Sequence, residues 1–325
     1  MKRFINNFLL KKVMLAKERQ SVISILEQHC KRVSVNPNNK SYNSEINKIG
    51  IFNDTHLSFL ERSSDEIKNE TCESLCRLLD YISKNSDNII GLGDYDDLNY
   101  LSMIGVYLIK TTEKPFKLLK GNHDNYNNNY ENLIKKLPHL KKFSSILIKN
   151  KDEVYPSNLE EVIFDNSKKN IFIFKHQINN YNDYIHKKYN FIDRENALYL
   201  EYNNLIKGYE FKEENIQNVY IITGHDHSTP RIIKIDQIEH EKKNIFNVIL
   251  PPFTTREGNN ANSVIINPNM YILDLENQEI ERVYLSNNEV YEESLFKIPE
   301  LKNNQNSNSI KRYNIEIKNS DKYGI

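Results

Sequence analysis

The sequence predicts an α/β fold, on three observations. Between residues 49 and 136 a short apolar run, a polar exit loop and a stretch of helical periodicity follow one another three times. Apolar runs of strand length then dominate as far as residue 250. Each of the three exit loops, and two loops further on, gathers Asp, Asn or His side chains. Repeated strand-loop-helix units build sheets that are covered on both faces. Binding side chains collect at the carboxyl ends of such strands, so the content of the loops supports the pattern of the runs.

The 325 residues suffice for one large domain with appendages. Residues 1 to about 32 read as an amphipathic helix, with Ile5, Phe8, Leu9, Val13, Ala16, Ile23 and Leu26 on one stripe. Asn36-Pro37-Asn38-Asn39 breaks it, so 1–47 is assigned as a helical extension and linker. The main domain is assigned to 48–297. Ile49, Ile51 and Phe52 form its first strand, which the chain leaves at Asn53-Asp54-Thr55-His56. Ser63 and Glu66 have the spacing of a capping box, and Ile67, Thr71, Leu75, Leu78 and Ile82 carry the helix onward. Ile89, Ile90 and Leu92 make the second strand, Gly93-Asp94-Tyr95-Asp96-Asp97 its exit loop, and 98–110 its helix. The third unit is the strand 116–119, the loop Gly121-Asn122-His123-Asp124 and a helix over 127–136.

Strands are expected at 145–148, 162–164, 171–174, 219–222, 232–235 and 245–250. Residues 175–217 are rich in Tyr and Asn, with a helix expected near 195–207, and form the candidate substrate-facing insertion. Its aromatic residues Tyr181, Tyr184, Tyr189, Tyr199 and Tyr202 suit either stacking on a base or packing a helix. Segments 271–275 and 280–284 flank Asn277 as a hairpin. The polar stretch 298–325 is expected to be a flexible tail.

Lys and Arg total 44, as do Asp and Glu, so net charge gives no support to a nucleic-acid partner. No apolar run approaches the ~20 residues that span a bilayer, and no membrane partner is expected. Lys11 and Lys12 interrupt the N-terminal apolar patch, which argues against a secretory signal. Three Cys cannot build a disulfide framework. Cys72 and Cys76, one helical turn apart, read as buried reduced thiols rather than metal ligands. A cytoplasmic protein is the resulting expectation.

The polar residues at strand ends form a set: Asp54, His56, Asp94, Asn122, His176, His225 and His227. All offer oxygen or nitrogen, and Gly93, Gly121 and Gly224 each directly precede one of them. His123 carries a further imidazole suited to proton transfer. In order, Asp-x-His, Gly-Asp-x-x-Asp, Gly-Asn-His-Asp, a lone His and Gly-His-x-His resemble the calcineurin-like metallophosphoesterase family, over about 49–227. The resemblance implies a four-layer α-β-β-α sandwich with two metal ions. Asp54, His56, Asp94 and His227 would hold the first, and Asp94, Asn122, His176 and His225 the second, with Asp94 as the bridge. It also implies that His123 protonates the leaving oxygen and that Asp97 pairs with its imidazole; Asp124 competes for the latter role.

Mixed imidazole and carboxylate donors suit Mn, Fe, Zn or Ni better than Ca. A pair of such divalent ions neutralises phosphoryl oxygens and activates water. The expected function is therefore hydrolysis of a phosphomonoester or phosphodiester, small or nucleotide-like. Two alternatives remain beside it. One is a DNA nuclease built on the same blocks, disfavoured by the balanced charge and the short region after residue 285. The other is a non-catalytic scaffold, disfavoured by the full ligand set. Departures from the family pattern are Asp226, where Thr is common, and Gln177-Ile178 after His176. Leu98-Asn99 replaces the Arg-Gly of the phosphoprotein phosphatases, which disfavours a protein Ser/Thr phosphatase. Arg194, Arg231 and Arg256 are candidate phosphate clamps, with a plain surface role the stronger reading for each.

Overall fold

The computed structural model describes residues 20–33, 45–124, 130–155, 160–165, 169–177, 216–225, 231–235, 244–256, 264–266 and 268–297. Residues 1–19 of the helix expected over 1 to about 32, residues 178–215 of the Tyr- and Asn-rich insertion and the C-terminal tail lie outside the described residues.

Helix α1 (Val22–Arg32) starts at Ser21, whose side chain accepts from the Ser24 amide. Strand β1 (Lys48–Phe52) follows, then a 3-10 helix (Leu57–Arg62) and α2 (Asp65–Asn85). The helix cap differs from expectation by one residue. Ser63 closes the 3-10 turn by donating its amide to Leu60 O, so Ser64 becomes the N-cap and accepts from Ile67 N. Strand β2 (Asn88–Gly91), α3 (Leu98–Thr111) and β3 (Phe116–Leu118) continue the alternation. Four short helices come next: α4 (Tyr130–Lys136), α5 (Pro138–Lys141), α6 (Ser144–Lys149) and α7 (Lys151–Val154). Helix α6 covers 145–148, where a strand was expected. Its apolar run is too short for its period to be read, and only Leu147 of that run is fully buried.

The later strands are β4 (Glu160–Phe164), β5 (Asn170–Lys175), β6 (Asn218–Thr223), β7 (Arg231–Ile235) and β8 (Asn244–Ile249). They form a sheet in the order β4-β5-β6-β8-β7, with β5, β6 and β8 parallel and both edges antiparallel. Strands β9 (Thr254–Arg256) and β10 (Val264–Ile266) pair with each other. Finally β11 (Asn269–Asp274), β12 (Glu279–Ser286) and β13 (Glu289–Lys297) join the first three strands in a sheet ordered β13-β12-β11-β1-β2-β3. Here β1, β2 and β3 are parallel, and β11 meets β1 antiparallel. The hairpin expected around Asn277 joins β11 to β12.

The fold is the expected α/β sandwich of two sheets. Ile49, Ile51, Ile90, Leu92, Tyr271 and Leu273 of one sheet meet Phe172, Phe174, Tyr220, Ile222, Phe246 and Val248 of the other. At its centre Phe172, Tyr220 and Phe246 stack across three neighbouring strands, with ring centroids 5.0 Å apart at each step. The alternate residues of the first sheet, among them Phe52, Ile89, Phe116, Met270 and Ile272, share one core cluster with α1, α2 and α3. Strands buried on both faces are what the unbroken apolar runs predict. Ile171, Ile173, Val219 and Ile221 on the outer face of the second sheet are buried too.

Cys30, Cys72 and Cys76 are buried free thiols, as expected of the latter two. Burial pushes those of Cys30 and Cys72 up to about 12. Among the described residues no helix is long and apolar enough to cross a membrane.

Candidate metal centre

Strand β1 ends at Phe52, and the chain turns out of the sheet through Asn53, Asp54, Thr55 and His56. Asp54 and His56 have φ of 48° and 37°, a left-handed backbone that costs a non-glycine residue about 1–2 kcal/mol. Main-chain bonds from Asp54 N to Gly93 O and from His56 N to Asp94 O, each 3.1 Å, hold the turn. From its other side, the amides of Phe253 and Thr254 donate to Asn53 O (3.2 Å) and Asp54 O (3.1 Å), and Thr254 Oγ1 donates to Thr55 O. Such strain persists where the surroundings over-determine it, and here two other loops do so.

After β2, Asp94 and Asp96 also have positive φ, 57° and 76°. Asp124 holds them. Its Oδ2 accepts from Asp94 N and Gly121 N, both at 2.8 Å, and its Oδ1 from Tyr95 N at 2.8 Å and Asp96 N at 3.1 Å. Bonds to an ionised acceptor are stronger than neutral ones, so one carboxylate gathers both loops. Glycine is required where these loops touch, since a Cβ on Gly121 would lie 2.1 Å from Asp94 Oδ1, and again after β6, where one on Gly224 would lie 2.5 Å from Asp54 Oδ2.

Among the described residues two donor groups result, one of Asp54, His56 and Asp94, the other of Asp94, His176 and His225. In each, the donor atoms lie within 4.8 Å of one another. His56 Nε2 stands 3.4 Å from Asp94 Oδ2 and 3.9 Å from Asp54 Oδ1. His176 Nε2 stands 3.2 Å from the same Asp94 oxygen, 2.7 Å from Asn122 Oδ1 and 3.2 Å from His225 Nδ1. Asp54 Oδ2 accepts from Asn53 Nδ2 (2.6 Å) and His225 N (3.1 Å), which leaves Oδ1 turned toward the histidines. His176 Nδ1 lies 3.1 Å from Leu92 O, a bond that fixes its ring.

These residues fit a cation. One imidazole proton on His176 Nε2 can serve only one of the three lone-pair atoms around it, whereas a metal ion is served by all of them. Asp54, His56, Asp94 and His176 are buried, so bulk water cannot screen their charges. Burial lowers the His56 pKa, but the hydrogen bond to Asp96 and the charges of Asp54, Asp96 and Asp94 outweigh it and leave it raised. In His176, burial is likewise outweighed by the bond to Asp94 and by nearby carboxylates. Burial raises the Asp94 pKa, yet the bond and charge of His176 bring it below the usual carboxylate value. The pocket favours positive charge throughout.

The structure brings together six of the residues singled out from sequence: Asp54, His56, Asp94, Asn122, His176 and His225. His123 is exposed beside them, its ring edge-on to His56 with centroids 5.1 Å apart. Asp97 is the N-cap of α3, where its Oδ1 accepts from Asn99 N and Tyr100 N. His227, Asp226, Arg194 and Tyr181, Tyr184, Tyr189, Tyr199 and Tyr202 lie outside the described residues. Arg231 and Arg256 fall in β7 and β9, with side chains outside the described set. Three residues were passed over by the sequence reading. Asp96 Oδ1 lies 2.8 Å from His56 Nδ1, Asn53 orients Asp54, and Thr254 ties the segment after β8 to the first loop. The one available signal was Asp96, the second of three acidic side chains in Gly93-Asp94-Tyr95-Asp96-Asp97.

The family profile described as calcineurin-like phosphoesterase matches residues 47–244. No curated protein matches the chain. Among solved structures, the chain is similar to vacuolar protein sorting 29 from Cryptosporidium parvum, at 12% identity and a TM-score of 0.40, over 77% of this chain and 97% of that one. It is also similar to wild-type Vps29 from Entamoeba histolytica complexed with zinc, at 14% identity and a TM-score of 0.35, over 76% and 98%.

Proposed function

The chain belongs to the calcineurin-like phosphoesterase family, and on that premise we propose that it is a metal-dependent hydrolase of phosphoester bonds with a small or nucleotide-like substrate. The observation that carries this reading is the sharing of Asp94 by two converging donor groups. Asp54, His56 and Asp94, with His227, would hold one divalent ion, and Asp94, Asn122, His176 and His225 the other. Bound there, two ions of Mn, Fe, Zn or Ni supply charge neutralisation at the phosphoryl oxygens and a nucleophile from water at neutral pH.

The remaining work falls to this chain's own residues. Asp124 keeps the loops after β2 and β3 in register, so that Asp94 and Asn122 point to one place. His123, exposed at the mouth, donates a proton to the leaving oxygen. Asp97, held at the start of α3 by one carboxylate oxygen, is carried over from the family as the partner of that imidazole.

The test is an activity screen of the purified chain with each metal in turn, over a phosphomonoester, a bis-aryl phosphodiester, cyclic nucleotides and DNA. Turnover of a small ester that is lost in Asp94→Ala supports the reading. Cleavage of DNA alone would replace it with a nuclease, and binding of two ions without turnover of any substrate would replace it with a scaffold.

A further inference from the structure

We propose that Asp96 is a positioning residue for the first metal, holding the His56 ring by Nδ1 so that Nε2 is the nitrogen presented to that ion. The inference rests on the two-metal reading above. An imidazole has two nitrogens, and the bond made by one decides which lone pair the other offers. Asp96 Oδ1 lies 2.8 Å from His56 Nδ1, while Nε2 faces Asp94 Oδ2 at 3.4 Å and Asp54 Oδ1 at 3.9 Å. With an ion held at Nε2, Nδ1 would carry the hydrogen that Asp96 accepts.

The Asp96 carboxylate is fixed as well as close. Its Oδ2 accepts from Ser58 N at 2.8 Å, two residues beyond His56, so it grips the ring and the loop that follows it. Its own backbone, at φ 76°, is held by its amide bond to Asp124 Oδ1. Phe59 covers one face of the His56 ring, with planes 5° apart and centroids at 4.5 Å. The ring is thus constrained at its edge and on its face.

A second metal-facing histidine is oriented differently: Nδ1 of His176 meets the neutral carbonyl of Leu92. A carboxylate partner raises the basicity of a histidine ligand, and removing such a partner typically weakens metal affinity 10- to 100-fold. The two halves of the centre should therefore respond unequally to loss of Asp96.

The experiment is a Co2+ titration of the full chain, followed by the visible absorption of the bound ion, on the wild type, Asp96→Gly and Asp96→Asn. Glycine removes the carboxylate and accepts a φ of 76° without strain; asparagine keeps an acceptor oxygen and tolerates the same backbone. The wild type should take up two equivalents. In Asp96→Gly one of the two should weaken roughly 10- to 100-fold with a changed spectrum while the other is unaltered, and Asp96→Asn should recover part of the loss. Unchanged binding in Asp96→Gly, equal weakening of both sites, or an asparagine variant no better than glycine would each overturn the proposal. Should Asp96→Gly not fold, long-range 1H–15N spectra of the wild-type chain loaded with Zn2+ decide the matter. A hydrogen on His56 Nδ1, assigned by comparison with His56→Gln, supports the proposal, and one on Nε2 overturns it. A wild type that binds fewer than two ions would instead overturn the two-metal reading, so the two failures are told apart.

Discussion

The main-chain amide of His123 donates to Asp94 Oδ1 over 3.0 Å. The residue with the exposed imidazole thus supports the shared carboxylate through its backbone, and its side chain is left for another task. His123→Ala should keep that bond and keep metal content at the wild-type level, while kcat falls roughly 10²- to 10⁴-fold on esters with poor leaving groups. The loss should shrink for an aryl ester, whose leaving group needs little protonation. An equal loss on both kinds of ester would contradict proton donation by this imidazole.

Asp94 Oδ2 faces both His56 and His176. Asp94→Ala should therefore lower occupancy at both metal positions together, whereas Asn122→Ala should weaken one. Elemental analysis after reconstitution with Mn2+ measures this directly. Retention of one full equivalent in Asp94→Ala would show that the carboxylate is not shared.

Gly121 lies where the loops after β2 and β3 touch, and a methyl group there would meet both the backbone nitrogen and a carboxylate oxygen of Asp94. Neither atom sits on a flexible end, so the loops must part. Gly121→Ala should cost roughly 1–3 kcal/mol and reduce metal uptake. Thermal melting of the metal-free protein checks the first effect, and a melt indistinguishable from wild type would mean the contact is not enforced in solution.

At the turn after β11, Asp274 Oδ1 accepts from Glu276 N at 3.0 Å and Asn277 N at 2.8 Å, Oδ2 accepts from Asn277 Nδ2 at 3.0 Å, and Lys48 Nζ stands 3.4 Å away. Burial raises the Asp274 pKa, but the Asn277 bonds and the Lys48 charge outweigh it, leaving it below the usual value. A depressed carboxylate pKa contributes stability above the unfolded value of about 3.9, and that contribution is lost as pH falls through the folded value. Asp274→Ala should thus cost roughly 1–2 kcal/mol at pH 7, with the gap to wild type narrowing below pH 4. Melts across pH measure it, and a gap that widens in acid would reverse the sign.

Much of this was legible in the chain because strand ends and donor residues coincide. Asp54 follows β1 by two residues, Asp94 follows β2 by three, and His176 directly follows β5. Other features were not legible, for physical reasons. The run at 145–148 is too short to show a period, and α6 forms there with Leu147 alone fully buried. The cap of α2 moved to Ser64 because a 3-10 turn uses Ser63 first. The contact of Asp96 with His56 spans 40 residues and depends on a left-handed backbone at both. No local pattern encodes such a meeting, since it arises only once two loops are folded against each other.

Helix α1 lies before residue 47, where the family match begins. It nevertheless buries Val22, Ile25, Leu26 and Cys30 in the cluster shared with α2 and α3. Its first amide donates to Oε1 of Glu61, five residues past His56, which also accepts from Tyr100 OH. Each of those aliphatic side chains is worth roughly 1.5–3 kcal/mol when withdrawn from water. A chain begun at residue 47 would keep every metal-facing residue and yet expose a greasy flank on α3. The edge of a lineage and the edge of a folding unit are here two different places, and recombinant work guided only by the first would produce material prone to clump.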